Sequence, residues 1–391
     1  MSAKTMNAQT INAETIKEQS SRPANARSIQ VFTAGLLLAS VALLALGVCI
    51  GSAGFENLWH GLMIPTTVAT SDSDAAATKA MAEQIVWDIR LPRTLGAWAA
   101  GALLGLAGAL AQGLFRNPLA DPYLLGSASG AALGVALALA LMGGAACMLS
   151  SGAAGTLFGL KISVVSNSWL VRLGLTGAAF GGAVLAVLLT LTLARGVQHT
   201  LRLLLAGVVV GVVLGAATSL VLLFSPDSLQ AMQAFMLGST GFVGWSACLL
   251  MLAVWLPCVV LAWSLSRALD GLSLGESTAA SLGLPLVPLR MALVGVLALA
   301  TGTAVAQTGL IAFVGLAAPH VVRAVVRVAH GRLVLLASLT GAVLLCGADL
   351  LARWLIAPQE LPVGVLTAVL GGGYLLWLMH RRSDLGGKQH G

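Results

Sequence analysis

"FRNPLADPYLLGSASGAALG", Phe115 to Gly134, lies between two long apolar runs and decides how the chain divides. Asn117 precedes Pro118, whose ring disfavours helix at the residue before it, so a helix is expected to stop here. Asp121 stands where an N-cap would, with Pro122 at the first position of a new helix. The stretch therefore predicts a stop, a tight polar turn and a restart. Gly126, Gly130 and Gly134 come next at four-residue spacing, on one face of the restarted helix.

The flanking runs set the class. Of 391 residues, 58% are hydrophobic and 9% are charged, whereas a soluble domain is about a quarter charged. Crossing the hydrocarbon core takes about 20 mostly apolar residues. The runs are continuous rather than alternating, which argues against a β-barrel. The chain reads as an all-α polytopic membrane protein with about ten spans, near 31–51, 92–114, 122–143, 171–194, 202–224, 246–266, 286–308, 311–328, 333–356 and 361–380. Residues 52–91 and 144–170 are longer connections, and 225–245 has room for a short interfacial helix.

The net charge of +7 fits this reading, because basic residues collect on the cytoplasmic side of membranes. With the N-terminus inside, fifteen of the 21 Lys and Arg residues fall inside; the outer six are Lys79, Arg90, Arg93, Lys161, Arg172 and Arg353. Both termini are then cytoplasmic, and losing one span would scramble the asymmetry. No basic stripe with interleaved aromatics suggests nucleic acid. The division expected is a disordered tail over 1–30, a membrane domain over 31–382 and a C-terminal tail over 383–391. Val31 to Ile50 is too long for a signal-peptide core and lacks a cleavage site, so it reads as an uncleaved first span. Cys49, Cys147, Cys248, Cys258 and Cys346 lie in or beside apolar runs with no C-x-x-C pair, as small buried hydrophobes do.

The glycine spacing recurs at Gly101 and Gly105, at Gly177 and Gly181, and at Gly207, Gly211 and Gly215. Small residues in register let helices approach closely in lipid. They would equally give a smooth wall to a translocation path, and spacing does not separate the two readings.

Groups able to do chemistry are scarce. Asp349 and Arg353 can pair at i,i+4 on one helix face. Gln112, Gln307 and His320 read as interhelical hydrogen-bonding residues. The absence of an acidic relay argues against an ion-coupled carrier, the alternative reading. His320 has no evident nucleophile partner, and no Walker loop, H-E-x-x-H or nucleophile elbow occurs. No catalytic residue and no metal-ligand set is expected, so the chain reads as a non-enzyme.

"LSLGESTAASLGLP", Leu272 to Pro285, is the most informative loop. Ser273 and Glu276 have capping-box spacing, Ala279, Ala280 and Leu282 continue a short helix, and Gly283 and Pro285 stop it. A short amphipathic helix is expected on the cytoplasmic face, suited to dock a soluble subunit.

Several long segments, in order, resemble one family. "RLPRTLGAWAAGALLGLAGALAQGLFRNPLADPYLLGSASGA" (90–131), the Leu272–Pro285 loop, "GLIAFVGLAAPHVVR" (309–323), "GADLLAR" (347–353) and "ELPVGVLTAVLGGGYLLWL" (360–378) are similar to FecCD-type permeases of ATP-binding cassette importers for iron–siderophores, haem and vitamin B12. The resemblance spans about 31–382, although "GGGYLLW" departs from the commoner G-x-P-x-F. It implies ten spans per subunit in a bacterial inner membrane, a second permease subunit (a homodimer being expected), two ATPase subunits that carry ATP and Mg, and a periplasmic binding protein. It implies no cofactor in this chain. By the same resemblance Ser273, Gly275, Glu276, Ser277, Ser281 and Gly283 form the ATPase-coupling loop. Arg90, Arg93 and Arg353 would meet acidic residues of the binding protein. His199, Thr200 and Leu201 would form the cytoplasmic gate, with Gly207 and Gly211 lining the path above it.

Overall fold

A computed structural model of the chain describes residues 26–51, 54–55, 83–150, 169–197 and 200–374. Its helices, in order, are α1 (Ala26–Cys49), α2 (Leu91–Phe115, entered through a π-helical turn Ile85–Arg90), α3 (Ser127–Ser150), α4 (Trp169–Leu193), α5 (Thr200–Phe224), α6 (Leu229–Leu237), α7 (Trp245–Ser264), α8 (Ser266–Ser273), α9 (Glu276–Ser281), α10 (Leu286–Thr308), α11 (Val314–Val325), α12 (His330–Trp354) and α13 (Val363–Tyr374). Among the described residues, seven helices are long and apolar enough to cross a membrane, and Ser127–Met142, Val314–Val325 and Val363–Tyr374 are shorter apolar helices. Each of the sequence-derived spans overlaps one of these. The short helix expected within 225–245 is α6.

α2 is the axis of the molecule. Its Gly/Ala-rich sequence is buried on almost every face, against α12, α7, α10 and α11. In lipid such packing rests on close van der Waals contact rather than on exclusion of water. A Cβ at Gly101 would strike the Gly341 carbonyl, one at Gly105 the Ala337 carbonyl, and one at Gly108 the Gly315 carbonyl.

The stretch from Phe115 to Gly134 folds nearly as its residues dictate. Arg116 caps α2 in the left-handed region (φ 50°), and the Asn117 N–H returns to the Gln112 carbonyl at 3.2 Å, the six-to-one bond of a Schellman stop. The Asp121 carboxylate accepts from the Tyr123 N–H at 2.8 Å. Burial pushes the Asp121 carboxyl above its ordinary range, and that hydrogen bond opposes the shift. Asp121 and Pro122 start a 3-10 turn, Pro122–Leu125, ended by Gly126 at φ 81°. The α-helix begins only at Ser127, five residues later than expected. This offset directs the Leu125 carbonyl to the Thr190 hydroxyl at 3.0 Å and lets Gly207 ride over the Leu124 carbonyl.

Two further boundaries differ from expectation. α1 starts at Ala26, inside the stretch read as a tail. α11 has only 12 residues, about 18 Å at 1.5 Å per residue, because Gly309 (φ 69°) and Phe313 (φ 68°) break the chain just before it. It fills half a span beside α2, where Gln112 donates to the Leu316 carbonyl at 3.1 Å and accepts from Arg323. Gln112 is thus the interhelical hydrogen-bonding residue its isolation suggested.

Candidate functional site

Two polar clusters sit at opposite ends of α2, a helix of 25 residues, hence about 37 Å apart.

The first cluster gathers at the α2 N-terminus. Asp349 is fully buried on α12. It pairs with Arg353 one turn on, takes the Thr240 hydroxyl, and accepts from Arg93 Nη2 at 3.1 Å. Arg93 continues to Glu360 at 2.9 Å. Arg353 also donates to the Gly47 carbonyl at 3.2 Å, and Arg90 reaches the Val48 carbonyl at 3.4 Å. The i,i+4 pair expected from sequence exists, but within a network that joins α1, α2, α12 and the loop before α7. Arg93 and Arg353 face the carboxylates of Asp349 and Glu360, and a buried ion group is tolerable only when its partners are present. All three arginines assigned to binding-protein docking are buried here, at 7%, 8% and 2% exposure for Arg90, Arg93 and Arg353. The half-buried carboxylate of Glu360 is the more accessible part of the cluster.

The second cluster gathers at the α2 C-terminus. α9 is a real, short helix, but its start differs from the capping box. Gly275 (φ 109°) is the N-cap, without a side-chain cap bond, and the Ser273 hydroxyl turns back to the Asp270 carbonyl at 2.6 Å, closing α8. A second left-handed glycine, Gly283 (φ 77°), ends α9. Relieved of capping, the Glu276 carboxylate meets Arg290 of α10 at 2.7 Å and Arg116 at 3.3 Å. The Ser281 hydroxyl bonds within α9, to the Thr278 carbonyl at 2.8 Å, and Ser277 is exposed. Beside this group, Asp270 of α8 contacts His330 of α12 at 2.7 Å.

Arg290 has a further acceptor, the Val197 carbonyl at 3.1 Å. Val197 belongs to the turn that leads into Thr200. That turn carries Arg195 at φ 56° and Gly196 at φ 93°, and the Gly196 N–H caps α4 on the Leu191 carbonyl at 2.8 Å. His199 lies outside the described residues. Thr200 opens α5, and Leu201 is 69% exposed. On α5, Leu201, Leu205, Val208 and Val212 share an exposed face. Gly207 lies on the opposite, packed face, and a Cβ at Gly211 would meet only the Ser129 hydroxyl, at 3.6 Å. A Cβ at Gly215 would meet nothing within 4 Å; the residue borders a cavity of about 340 Å³ with Ser129, Thr218, Met232 and Gln233, between α3, α5 and α6.

Among the described residues this is a largely apolar helical bundle, with seven helices fit to cross a membrane, polar clusters at the two ends of α2 and a short helix presented at one of them: a polytopic membrane protein. The chain belongs to the FecCD transport family, which it matches over residues 36–381. It is 37% identical to the hemin transport system permease protein HmuU of Yersinia pestis over 356 residues, 90% of this chain and 96% of that one. It is 39% identical to the vitamin B12 import system permease protein BtuC of Salmonella typhimurium over 301 residues, 77% of this chain and 85% of that one. Among solved structures it superposes on an inward-facing conformation assigned to the metal-chelate type of ABC transporter. The TM-score is 0.72 at 27% identity, over 90% of this chain and 99% of that one. The chain is therefore an ABC importer permease, multi-pass in the membrane and not itself catalytic; the ion-coupled carrier reading falls away.

Proposed function

We propose that the chain is one of two identical permease subunits of a bacterial inner-membrane importer, carrying a metal chelate of the haem, ferric siderophore or cobalamin class from periplasm to cytoplasm. The observation that carries this reading is α9, an exposed helix offered at one end of the molecule in a chain that matches the family almost throughout. ATP and Mg belong to a separate ATPase pair seated on Ser273, Gly275, Glu276, Ser277, Ser281 and Gly283, and this chain needs no cofactor of its own. Ten crossings over 31–382 leave the tails 1–30 and 383–391 in the cytoplasm.

At the outer end, a periplasmic binding protein docks near Arg90, Arg93 and Arg353. Their burial favours a role in shaping that rim, with Glu360 at its edge. The apolar face of α5 accommodates the second subunit across the path. His199, Thr200 and Leu201 narrow the path at its cytoplasmic end, and Gly211 keeps its wall slim. Gly207 serves helix packing instead.

The test is uptake into proteoliposomes that contain the permease, its ATPase partner and its binding protein, supplied in turn with radiolabelled haem, a ferric siderophore and cobalamin. Vanadate-sensitive accumulation of one of them is expected. Uptake driven by a proton gradient without ATP, or accumulation of none of the three, overturns the proposal.

A further inference from the structure

The Arg290 guanidinium touches two elements that sequence separates widely. One arm, Nη2, holds Glu276 at the start of α9; another, Nη1, holds the Val197 carbonyl in the turn before Thr200. We infer that Arg290 is a positioning residue that transmits movement of the α9 loop to the cytoplasmic gate, a reading that rests on the loop and gate assignments of the proposed function.

Three observations carry it. The Arg290 side chain is 4% exposed, whereas Glu276 is 38% exposed and its other partner, Arg116, is 39% exposed. A pair exposed at both ends is weakened by solvent screening, so the Arg116 contact is a loose tether and the Arg290 contact the firm one. Second, the α4–α5 turn holds two consecutive left-handed residues, Arg195 and Gly196, so rotations at few positions re-aim the start of α5. Third, arginine is suited to the task. Its planar fork presents separate N–H groups in fixed directions, so one side chain can bond a carboxylate and a carbonyl together. Arg290 lies in the first turns of α10, a long helix that gives it a rigid base. Displacement of α9 by a bound ATPase would then pull on Arg290 and, through it, on the carbonyl beside the gate.

The experiment needs no knowledge of the chelate. Thr200→Cys is introduced into a cysteine-free permease assembled with its ATPase and binding protein in proteoliposomes. Maleimide labelling is compared between nucleotide-free and vanadate-trapped states. With Arg290 intact, the labelling rates of the two states are expected to differ about fivefold or more. Arg290→Gln is expected to bring them within about twofold while ATP hydrolysis continues. Arg290→Lys, with one point charge for two acceptors, is expected to be intermediate. Arg290→Met keeps the aliphatic stem but offers neither Glu276 nor the Val197 carbonyl a donor, and it carries the test if Arg290→Gln does not assemble. A full labelling difference in Arg290→Gln or in Arg290→Met overturns the inference and leaves the importer reading standing. No difference with Arg290 intact overturns the gate and loop assignments themselves.

Discussion

Asp349 shows what a single residue does in this chain. It is the buried carboxylate that Arg93 and Arg353 share, and it also takes the Thr240 hydroxyl. Removing one partner of a buried ion group costs about 3–5 kcal/mol, because the charge left behind is uncompensated; replacing a whole pair by apolar side chains costs far less. Asp349→Ala is therefore expected to lower unfolding stability in detergent by about that amount, and Asp349→Leu with Arg353→Leu by less. A double variant as unstable as the single one would refute the assignment. The i,i+4 half of this network was legible in sequence. Its other half was not, since Arg93 lies 256 positions from Asp349, and nothing local to either residue encodes that meeting. Burial of Arg93 and Arg353 results from the same network: resemblance marked the positions, but only packing shows what their charges face.

At the scale of elements, glycine spacing marked helix faces without saying what lies against them. The structure divides them by contact. A Cβ at Gly130 would meet the Gly182 carbonyl and the Ala186 side chain, so α3 and α4 touch there through backbone; a Cβ at Gly177, Gly181 or Gly215 would meet nothing within 4 Å. Gly130→Ala is expected to destabilise the protein by about 1–3 kcal/mol through overpacking. Gly215→Ala is expected to be neutral or slightly stabilising, since alanine favours helix by about 1 kcal/mol over glycine. Thermal midpoints of the two variants, side by side in one detergent, check the contrast; equal shifts would contradict it. Caps were read with similar partial success. Asp121 caps as its neighbours dictate, but the element it opens is a 3-10 turn, because Gly126 takes a left-handed conformation that directs the chain toward α5. Ser273 and Glu276 have the right spacing for a capping box, yet Gly275 takes the capping position and Arg290 claims the glutamate. Spacing states which bonds are possible locally; a distant cation decides which one forms.

For the whole molecule, the exposed face of α5 is the largest consequence of the fold. Leu201, Leu205, Val208 and Val212 lie on it together, and the proposed second subunit brings the same face from across the path. With Thr200→Cys in a cysteine-free chain, oxidation in the membrane is expected to crosslink two permeases and to abolish uptake, with recovery on reduction. A crosslinked pair that still transports would place the gate elsewhere. The sequence by itself determined the class: 58% hydrophobic residues in long runs leave helical membrane spans as the only way to satisfy the backbone in lipid. It also determined the family, because long ordered motifs are one-dimensional signals. Only the tertiary structure decided which glycines pack, which arginines are buried together, and that Arg290 joins the α9 loop to the turn beside Thr200. Those facts depend on the approach of residues remote in the chain, and in lipid that approach is set by the shape and polarity of whole helix faces rather than by any short segment.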